Sequence, residues 1–295
     1  MKKTFQKELR TDKKQTFVAK KSLGQNFLIN PKVAENIAKS ADIVVGDTVL
    51  EIGPGTGMLT RTLLKEGARV IAIEADIRAV EVLSESFSEE IHNNTLILLH
   101  DDIRTIDLNS LKLTKNPQGS YKMAANIPYY LSGMLFELFL GGHHPPSTLV
   151  FLVQKEVAER VARSKKESIL SLSIKAYGEP RYISTVTRGN FRPQPGVDSA
   201  ILKISAISKE RFENLDEKHF FRVLKAGFSA RRKHLLGNLT ALAPRKNLEE
   251  IFTLLNLKKD VRGEDLSIEI WTALARHISL PSPSTTPPVP TAWKK

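Results

Sequence analysis

The sequence lacks cysteine, a paired histidine metal motif and any long apolar run. Without cysteine, a disulfide framework, a thiolate nucleophile, an iron–sulfur cluster and a cysteine zinc site are all excluded. None of the histidines forms a His-Glu-x-x-His pair, so we expect no metal. No apolar run reaches the roughly 18 to 20 residues that a membrane span needs, and the lysine-rich start has no apolar signal region. We therefore expect a cytoplasmic protein with no membrane partner.

Basic residues are in clear excess over acidic residues. Lysine and arginine number 44 against 32 aspartates and glutamates, which gives a net charge of +12 and a pI near 9.7. Such a charge favours a polyanionic partner, either a nucleic acid or an anionic membrane surface, and does not choose between them.

The chain divides into four predicted segments. These are a flexible basic arm (1–21), an α/β domain (22–207), a smaller helical domain (208–279) and a disordered proline-rich tail (280–295). Between Thr48 and Gln154, short β-branched stretches alternate with amphipathic ones, a pattern typical of a mostly parallel sheet covered by helices. From His219 to His277 the pattern is mainly helical, which predicts the second domain.

A glycine-rich turn follows the first predicted strand of the sheet. Gly53, Gly55 and Gly57 lie between the strand TVLEI and a helix that begins near Met58. Ligands bind at this point of open α/β sheets because the backbone approaches closely and helix N–H groups point outward. A dinucleotide site would need glycine at position 58, where this sequence has Met. The i, i+2, i+4 spacing, preceded by Glu51, instead resembles the first motif of methyltransferases, which favours S-adenosylmethionine over NAD. The loop alone is equally compatible with an ordinary tight turn.

Acidic residues follow the next two predicted strands. Glu74 ends the second strand, where its carboxylate can accept from both ribose hydroxyls. Asp102 follows the third strand and can accept from an adenine amino group, while Ile103 offers a backbone N–H and apolar surface. Either carboxylate alone would be taken as a loop charge or a helix cap. Suitable groups after three consecutive strands predict a cofactor site.

The tetrapeptide Asn126-Ile127-Pro128-Tyr129 follows the fourth predicted strand. An adenine amine is a poor nucleophile because its lone pair is delocalised into the ring, so acceptors that orient its N–H bonds help most. The Asn126 side-chain oxygen and the Ile127 or Pro128 carbonyl can serve, Pro128 fixes the turn, and Tyr129 can stack on an extruded base. Catalysis would then rest on positioning and electrostatics, and an ordinary turn is the minority reading.

These motifs together resemble the ribosomal RNA adenine dimethyltransferase family, and specifically its bacterial small-subunit members. The resemblance runs from about Lys20 to His277. It rests on SLGQNFL (22–28), EIGPGTG (51–57), NIPYY (126–130), FRPQP (191–195), VDSA (197–200), Phe228 with RRK (231–233), and RGEDL (262–266). Two positions depart from the family pattern: Ser132-Gly133-Met134 stands where Ser-Thr-Pro is common, and Gly196 stands where lysine is common.

The resemblance implies a Rossmann-like methyltransferase that uses S-adenosylmethionine as methyl donor. It implies dimethylation of the N6 amines of two adjacent adenosines in the 3′-terminal hairpin loop of 16S rRNA, within an immature small subunit, and a role in its biogenesis. It places Asn26 and Leu28 at the cofactor, sets Asn126 against cofactor and target amine, and makes Phe191 an aromatic plate opposite Tyr129. The cofactor residues are Asn26, Leu28, Gly53, Gly55, Glu74, Asp102, Ile103 and Asn126. In physical terms, Phe191 could equally be core packing.

Two rival functions stay open at this point. The first is a large-subunit (23S) rRNA adenine methyltransferase of the macrolide-resistance type, against which the RGEDL segment weighs. The second is a non-catalytic ribosome-assembly factor, which the intact loop and tetrapeptide disfavour.

A basic segment near the start of the helical domain contains no acid. Its cations are Arg222, Lys225, Arg231, Arg232 and Lys233, with Phe221 and Phe228 interleaved. A charge run is usually a solvated helix face, but its position beside a catalytic domain favours contact with an RNA backbone. We expect a monomer that reads an unpaired hairpin loop, whose bases can be splayed out.

Overall fold

The computed structural model describes residues 24–111, 113, 120–230 and 232–279. Its strands are β1 Phe27–Leu28, β2 Thr48–Ile52, β3 Arg69–Glu74, β4 Leu96–His100, β5 Lys122–Asn126, β6 Thr148–Gln154, β7 Glu179–Val186, β8 Phe191–Arg192 and β9 Ser199–Ser205. Its helices are α1 Pro31–Ser40, α2 Met58–Lys65, α3 Ile77–Ser86, α4 Ser88–His92, α5 Ser132–Leu140, α6 Lys155–Ala162, α7 Ile169–Lys175, α8 Glu217–Gly227, α9 Leu235–Leu239, α10 Arg245–Leu254 and α11 Ile268–His277. The predicted arm and tail lie outside the described residues.

A seven-stranded sheet in the order β4-β3-β2-β5-β6-β9-β7 forms the centre of the molecule. The first five strands in this order are parallel, whereas β9 runs antiparallel to both β6 and β7. After β2 the chain winds outward through β3 and β4, and then returns to place β5 on the other side of β2. This reversal is a topological switch point, where ligands bind beyond the carboxyl ends of the strands. The predicted Rossmann-like fold is confirmed.

The parallel strands are apolar because helices cover both faces of the sheet. All five residues of β2 are buried, as are the first six of β6. Helix α1 begins after Asn30, whose side chain accepts from the Lys32 N–H, and Pro31 occupies its first turn. Among the described residues, no helix has the length and apolar character needed to cross a membrane.

Two clusters of buried apolar side chains flank the sheet. One contains Ile37, Leu63 and Phe87 from the helices that cover one face. The other contains Phe136 and Phe139 of α5 and continues without a break into the C-terminal helices through side chains that include Phe220, Leu224 and Trp271. The chain changes from strands to helices after β9, but the buried cluster extends across that point.

The RGEDL segment fastens the C-terminal helices to the rest of the molecule. The Trp271 indole N–H donates to the Gly263 carbonyl at 3.2 Å. Lys166, between α6 and α7, donates to Asp265 at 2.6 Å and to Glu264 at 3.1 Å. This sequence pattern therefore has a structural role in joining α11 to the α6–α7 connection.

Candidate active site

The glycine loop after β2 has a backbone conformation that residues other than glycine rarely adopt. Gly53, Gly55 and Gly57 have φ values of 65°, 58° and 78°. A Cβ on Gly55 would lie 2.8 Å from the Phe27 ring, and one on Gly57 would lie 2.5 Å from the Phe87 ring. A Cβ on Gly53 would meet nothing within 4 Å. The first glycine thus borders open space, whereas the other two allow close packing behind the loop.

Glu74 fixes the shape of this loop through its carboxylate. One oxygen accepts from the Gly55 N–H at 3.1 Å and the other from the Asp76 N–H at 2.9 Å. Burial raises the pKa of Glu74, and these backbone hydrogen bonds oppose the shift. The carboxylate therefore joins the ends of β2 and β3 at the switch point.

A cavity opens at the carboxyl ends of β2 to β5. The cavity is open to solvent on one side, and it combines apolar side chains with a few polar groups, as small-molecule sites do. It is lined by Gly24, Gln25, Asn26, Phe27, Ile52, Gly53, Gly55, Glu74, Ala75, Asp102, Ile103, Arg104, Asn126, Ile127, Pro128, Tyr129, Tyr130 and Leu131. Leu28 lines a smaller neighbouring cavity together with Glu51, Gly53 and Asn126. The structure thus brings together all the predicted cofactor residues.

Asn126 lies where the two cavities meet. Its side-chain N–H donates to the Asn26 carbonyl at 3.0 Å. That bond uses one of the two amide N–H donors and orients the side chain, whose oxygen is an acceptor that a ligand can use. The bond also ties the end of β5 to the segment before β1, so one side chain links both walls of the site.

The rest of the tetrapeptide forms a tight turn. The Leu131 N–H donates to the Pro128 carbonyl at 2.9 Å, which engages one of the two carbonyls predicted to accept from an amine. The Tyr129 hydroxyl lies 2.6 Å from the Ser199 hydroxyl on β9. This contact holds the half-buried Tyr129 ring at the cavity wall.

Asp102 is paired with Arg104. The Arg104 Nε donates to the two carboxylate oxygens at 2.9 and 3.0 Å, and its backbone N–H donates at 2.9 Å. The Arg104 guanidinium thereby lowers the pKa of Asp102. Asp102 is therefore ionised at neutral pH and fixed in orientation, with its side chain still partly exposed at the cavity.

Phe191 occupies a different place from its predicted partner Tyr129. It is 2% exposed, belongs to a buried cluster and lies opposite Leu28 in the two-stranded β1–β8 ribbon. It lines neither of the two cavities described here. In this arrangement, Phe191 packs the N-terminal segment against the β8 loop, and its stacking role stays a prediction.

The basic segment is only partly at the surface. Arg222, Arg232 and Lys233 are exposed and Lys225 is half-buried, whereas Arg231 lies outside the described residues. The two interleaved phenylalanines serve packing, since Phe221 stacks on Tyr177 at 6.0 Å between ring centroids and Phe228 on Trp271 at 5.4 Å. Both rings are half-buried, and their part in an RNA-facing surface stays a prediction.

Several residues that line the cavities were not predicted. Gln25 and Phe27 come from the segment SLGQNFL, which the resemblance singled out only through Asn26 and Leu28. Arg104 and Tyr130 each follow a predicted residue closely, but a charged or aromatic loop residue carries no signal of its own. Glu51 is different, because an acid inside an apolar strand was visible in TVLEI.

A protein-family model described as ribosomal RNA adenine dimethylase matches residues 16–279. The chain belongs to this family.

The relatives of this dimethylase with curated names share one name. A protein of Dehalococcoides mccartyi named ribosomal RNA small subunit methyltransferase A is 39% identical over 265 residues, which is 88% of each chain. A protein of the same name from Clostridioides difficile is 35% identical over 271 residues, covering 90% of this chain and 93% of the relative. The relatives therefore match nearly the whole described part of the dimethylase.

Solved structures support the fold. A dimethyladenosine transferase from Plasmodium falciparum superposes with a TM-score of 0.67 at 27% identity, covering 84% of this chain and 95% of the other. The 23S rRNA methyltransferase ErmE also gives a TM-score of 0.67, at 24% identity, covering 86% of this chain and 99% of the other. At that identity, the second likeness concerns the fold alone.

The residues of the dimethylase fit S-adenosylmethionine as the methyl donor. The open space beside Gly53 leaves room for a ligand against the backbone. Glu74 and Asp102 supply carboxylate acceptors on the same wall, and Ile103 supplies buried apolar surface. Such a donor set suits ribose hydroxyls and an adenine ring.

Glu51 should make the stability of the dimethylase depend on pH. Burial raises the pKa of Glu51 to about 8 from 4.5, although the Thr60 hydroxyl donates to it at 2.7 Å. Between these two values the folded protein holds a proton that the unfolded chain releases. The protonated Glu51 therefore contributes its full stabilisation below pH 4.5, the pKa in the unfolded chain. As the pH rises from there toward 8, the unfolding free energy falls by about 1.4 kcal/mol per pH unit.

The Glu51→Gln variant tests this expectation, because glutamine keeps an acceptor for Thr60 but does not titrate. Denaturant unfolding of both proteins is measured between pH 5 and pH 8. The unfolding free energy of the variant, relative to that of the wild type, should increase as the pH rises. Parallel stability curves over this range would contradict a protonated, buried Glu51.

Proposed function

We propose that this dimethylase transfers methyl groups to the N6 amines of two adjacent adenosines in the 3′-terminal hairpin loop of 16S rRNA. The relatives named small subunit methyltransferase A support the choice of ribosomal subunit. We further propose an immature small subunit as substrate, with a role in its biogenesis, and a monomeric protein that acts in the cytoplasm.

The observation that carries the proposal is the position of Asn126. It lines both the cavity that contains Glu74 and Asp102 and the smaller cavity beside the glycine loop. Its amide N–H donates to the Asn26 carbonyl, which orients the side chain, and its amide oxygen can accept from an amine. An adenine amine at this point would lie beside the methyl donor.

The proposed roles of the remaining residues follow from their contacts. Asn126 and the Ile127 carbonyl orient the two N–H bonds of the target amine, and Tyr129, braced by Ser199, stacks on the flipped base. When bound, S-adenosylmethionine would supply an electrophilic methyl group whose transfer to the amine leaves a neutral thioether, and the proton that the amine loses would pass to solvent. Gly53, Gly55, Glu74, Asp102 and Ile103, together with Asn26 and Leu28, bind the donor. Phe191 completes the base site if its ring turns out of the core.

The experiment uses the purified full-length protein, isotopically methyl-labelled S-adenosylmethionine and immature small or large ribosomal subunits. Nucleoside mass spectrometry of the extracted RNA should show labelled dimethyladenosine from the small subunit alone. Label in large-subunit RNA would favour the resistance-type function instead. Tight binding to either subunit without any label would favour an assembly factor.

The exposed cations after α8 should contact the RNA backbone in this scheme. Changing both Arg232 and Lys233 to alanine should weaken binding to the hairpin and flatten its salt dependence. Each lost phosphate contact lowers the slope of log K against log salt by roughly 0.7 to 0.9. Fluorescence anisotropy across a salt series measures both effects.

A charge-matched double variant provides the control. Lys39 and Lys65 are exposed at the C-terminal ends of α1 and α2, which lie at the sheet edge opposite the cavity. Changing both to alanine removes the same charge but should leave the slope nearly unchanged. Equal losses for the two double variants would mean that only net charge matters.

A further inference from the structure

We propose that Tyr130 binds the unpaired base next to the target adenosine by stacking on its exposed ring. The inference rests on the proposed rRNA substrate. It adds an RNA-positioning residue at the rim of the same cavity, and it concerns the side chain that follows the base-stacking Tyr129.

The exposure of Tyr130 is unusual for this chain. Its side chain is 59% exposed. Among the described residues, the other large hydrophobic side chains that are exposed are all aliphatic. It also lines the cavity that holds Asn126. An exposed aromatic ring beside a nucleic-acid site is the kind of surface on which unpaired bases stack.

The turn after β5 separates two consecutive tyrosines. Tyr129 is half-buried, with its hydroxyl on Ser199 at 2.6 Å, whereas Tyr130 stands at the solvent-exposed rim. Consecutive Cα atoms are about 3.8 Å apart, and both side chains line the same cavity. A target base on Tyr129 would place its chain neighbour at the rim, beside Tyr130.

One side of the Tyr130 ring packs on Gly24, and this contact restricts the ring before any base binds. A Cβ on Gly24 would lie 3.0 Å from the Tyr130 Cε1 and 3.4 Å from the Pro128 Cβ, and Gly24 has a φ of 62°. Only a residue without a side chain allows this approach without strain. A ring ordered before binding loses less conformational freedom when a base stacks on it.

The neighbouring base has a functional consequence because both adenosines are targets. When one adenosine occupies the position beside Asn126, the other is its chain neighbour and can occupy Tyr130. Stacking at the rim would therefore hold the second adenosine close to the site while the first is methylated. Loss of the ring should weaken RNA binding and raise the share of RNA with only one adenosine dimethylated.

The test compares Tyr130→Ala and Tyr130→Phe with the wild type. The substrate is a hairpin RNA with the 3′-terminal loop of 16S rRNA, including its two adjacent adenosines. Because base stacking is strongly sensitive to removal of the ring, Tyr130→Ala should raise the KM for RNA about 10-fold. The kcat at saturating RNA and the Kd for S-adenosylmethionine should change little. Tyr130→Phe should retain wild-type values, since the ring face is kept. Leu254→Ala, which alters an exposed apolar side chain outside the cavity, is the matched control.

A substrate-side change makes the test specific for stacking. Two hairpins each carry an abasic nucleotide in place of one of the two adenosines, and methylation of the other adenosine is followed. On at least one of them, the wild-type KM should rise to the Tyr130→Ala value, with no further loss in the variant. Additive losses on both hairpins, or an unchanged KM for Tyr130→Ala on the intact RNA, would overturn the inference alone. The wild type is first assayed on immature small subunits, the proposed substrate, and a lack of dimethyladenosine there would overturn the proposed function and the inference together.

Discussion

Replacing Asn126 with alanine should remove nearly all methyl transfer while the protein still folds and binds S-adenosylmethionine. In the proposed mechanism the Asn126 oxygen is the acceptor that orients the target amine, and the loss of one such preorganised group costs roughly 10²- to 10³-fold in kcat. The variant also loses the hydrogen bond to the Asn26 carbonyl, a neutral bond that contributes about 1 kcal/mol. The affinity for the methyl donor should therefore fall by less than about 10-fold.

Asn190→Ala is the matched control for the loss of a hydrogen bond that anchors the N-terminal segment. The Asn190 side-chain oxygen accepts from the Asn30 side chain at 2.7 Å, so it too anchors the N-terminal segment, but it does not line the cavity. Single-turnover methylation and calorimetric titration with S-adenosylmethionine separate the two effects. Comparable kcat losses in both variants would mean that Asn126 acts only by holding the segment. Turnover of Asn126→Ala within about 10-fold of wild type would contradict its role.

Replacing Trp271 with alanine should cost about 3–5 kcal/mol of unfolding free energy. Trp271 is fully buried, stacks on Phe228 and donates to the Gly263 carbonyl. A Cβ on Gly227 would lie 2.2 Å from this indole, so α8 approaches it with only backbone between them. The alanine variant would leave a cavity that these close backbone contacts cannot refill.

Trp271→Phe is the control, because it retains a ring against Phe228 and should lose distinctly less stability. Since the buried cluster runs from the sheet into the C-terminal helices, thermal unfolding of the wild type should show one cooperative transition. Calorimetry of the three proteins measures both expectations. Two separate transitions in the wild type, or a near-wild-type midpoint for Trp271→Ala, would contradict a shared core.

The cofactor part of the site could be predicted because it depends on local features. Gly53, Gly55 and Gly57 permit positive φ angles that other residues resist. Glu74 is the last residue of β3, and Asp102 lies two residues after the end of β4. Parallel strands bring their carboxyl ends to one edge of a sheet, so residues after consecutive strands must meet there. The order of elements in the sequence therefore sufficed to place these groups together.

Contacts between distant segments could not be predicted in the same way. The Asn126 bond to Asn26 joins residues 100 positions apart, and Phe191 meets Leu28 only because β8 pairs with β1. Neither the hydropathy pattern nor the charge of a segment specifies its distant contact partner. Such contacts depend on how the loops pack over the folded sheet. For the same reason, Phe221 and Phe228 gave no sign that they pack against Tyr177 and Trp271.

The sequence by itself determined the fold class, the cofactor and the edge of the sheet where chemistry occurs. These follow from periodicity, glycine positions and strand ends, which are encoded within short stretches of chain. Only the tertiary structure decided how the side chains at the cavity are held: Asn126 donates to the Asn26 carbonyl, Asp102 is paired with Arg104, and the Tyr130 ring is exposed at the rim. It also decided that the C-terminal helices share the core of the sheet, because burial is a property of packed segments and not of any one of them.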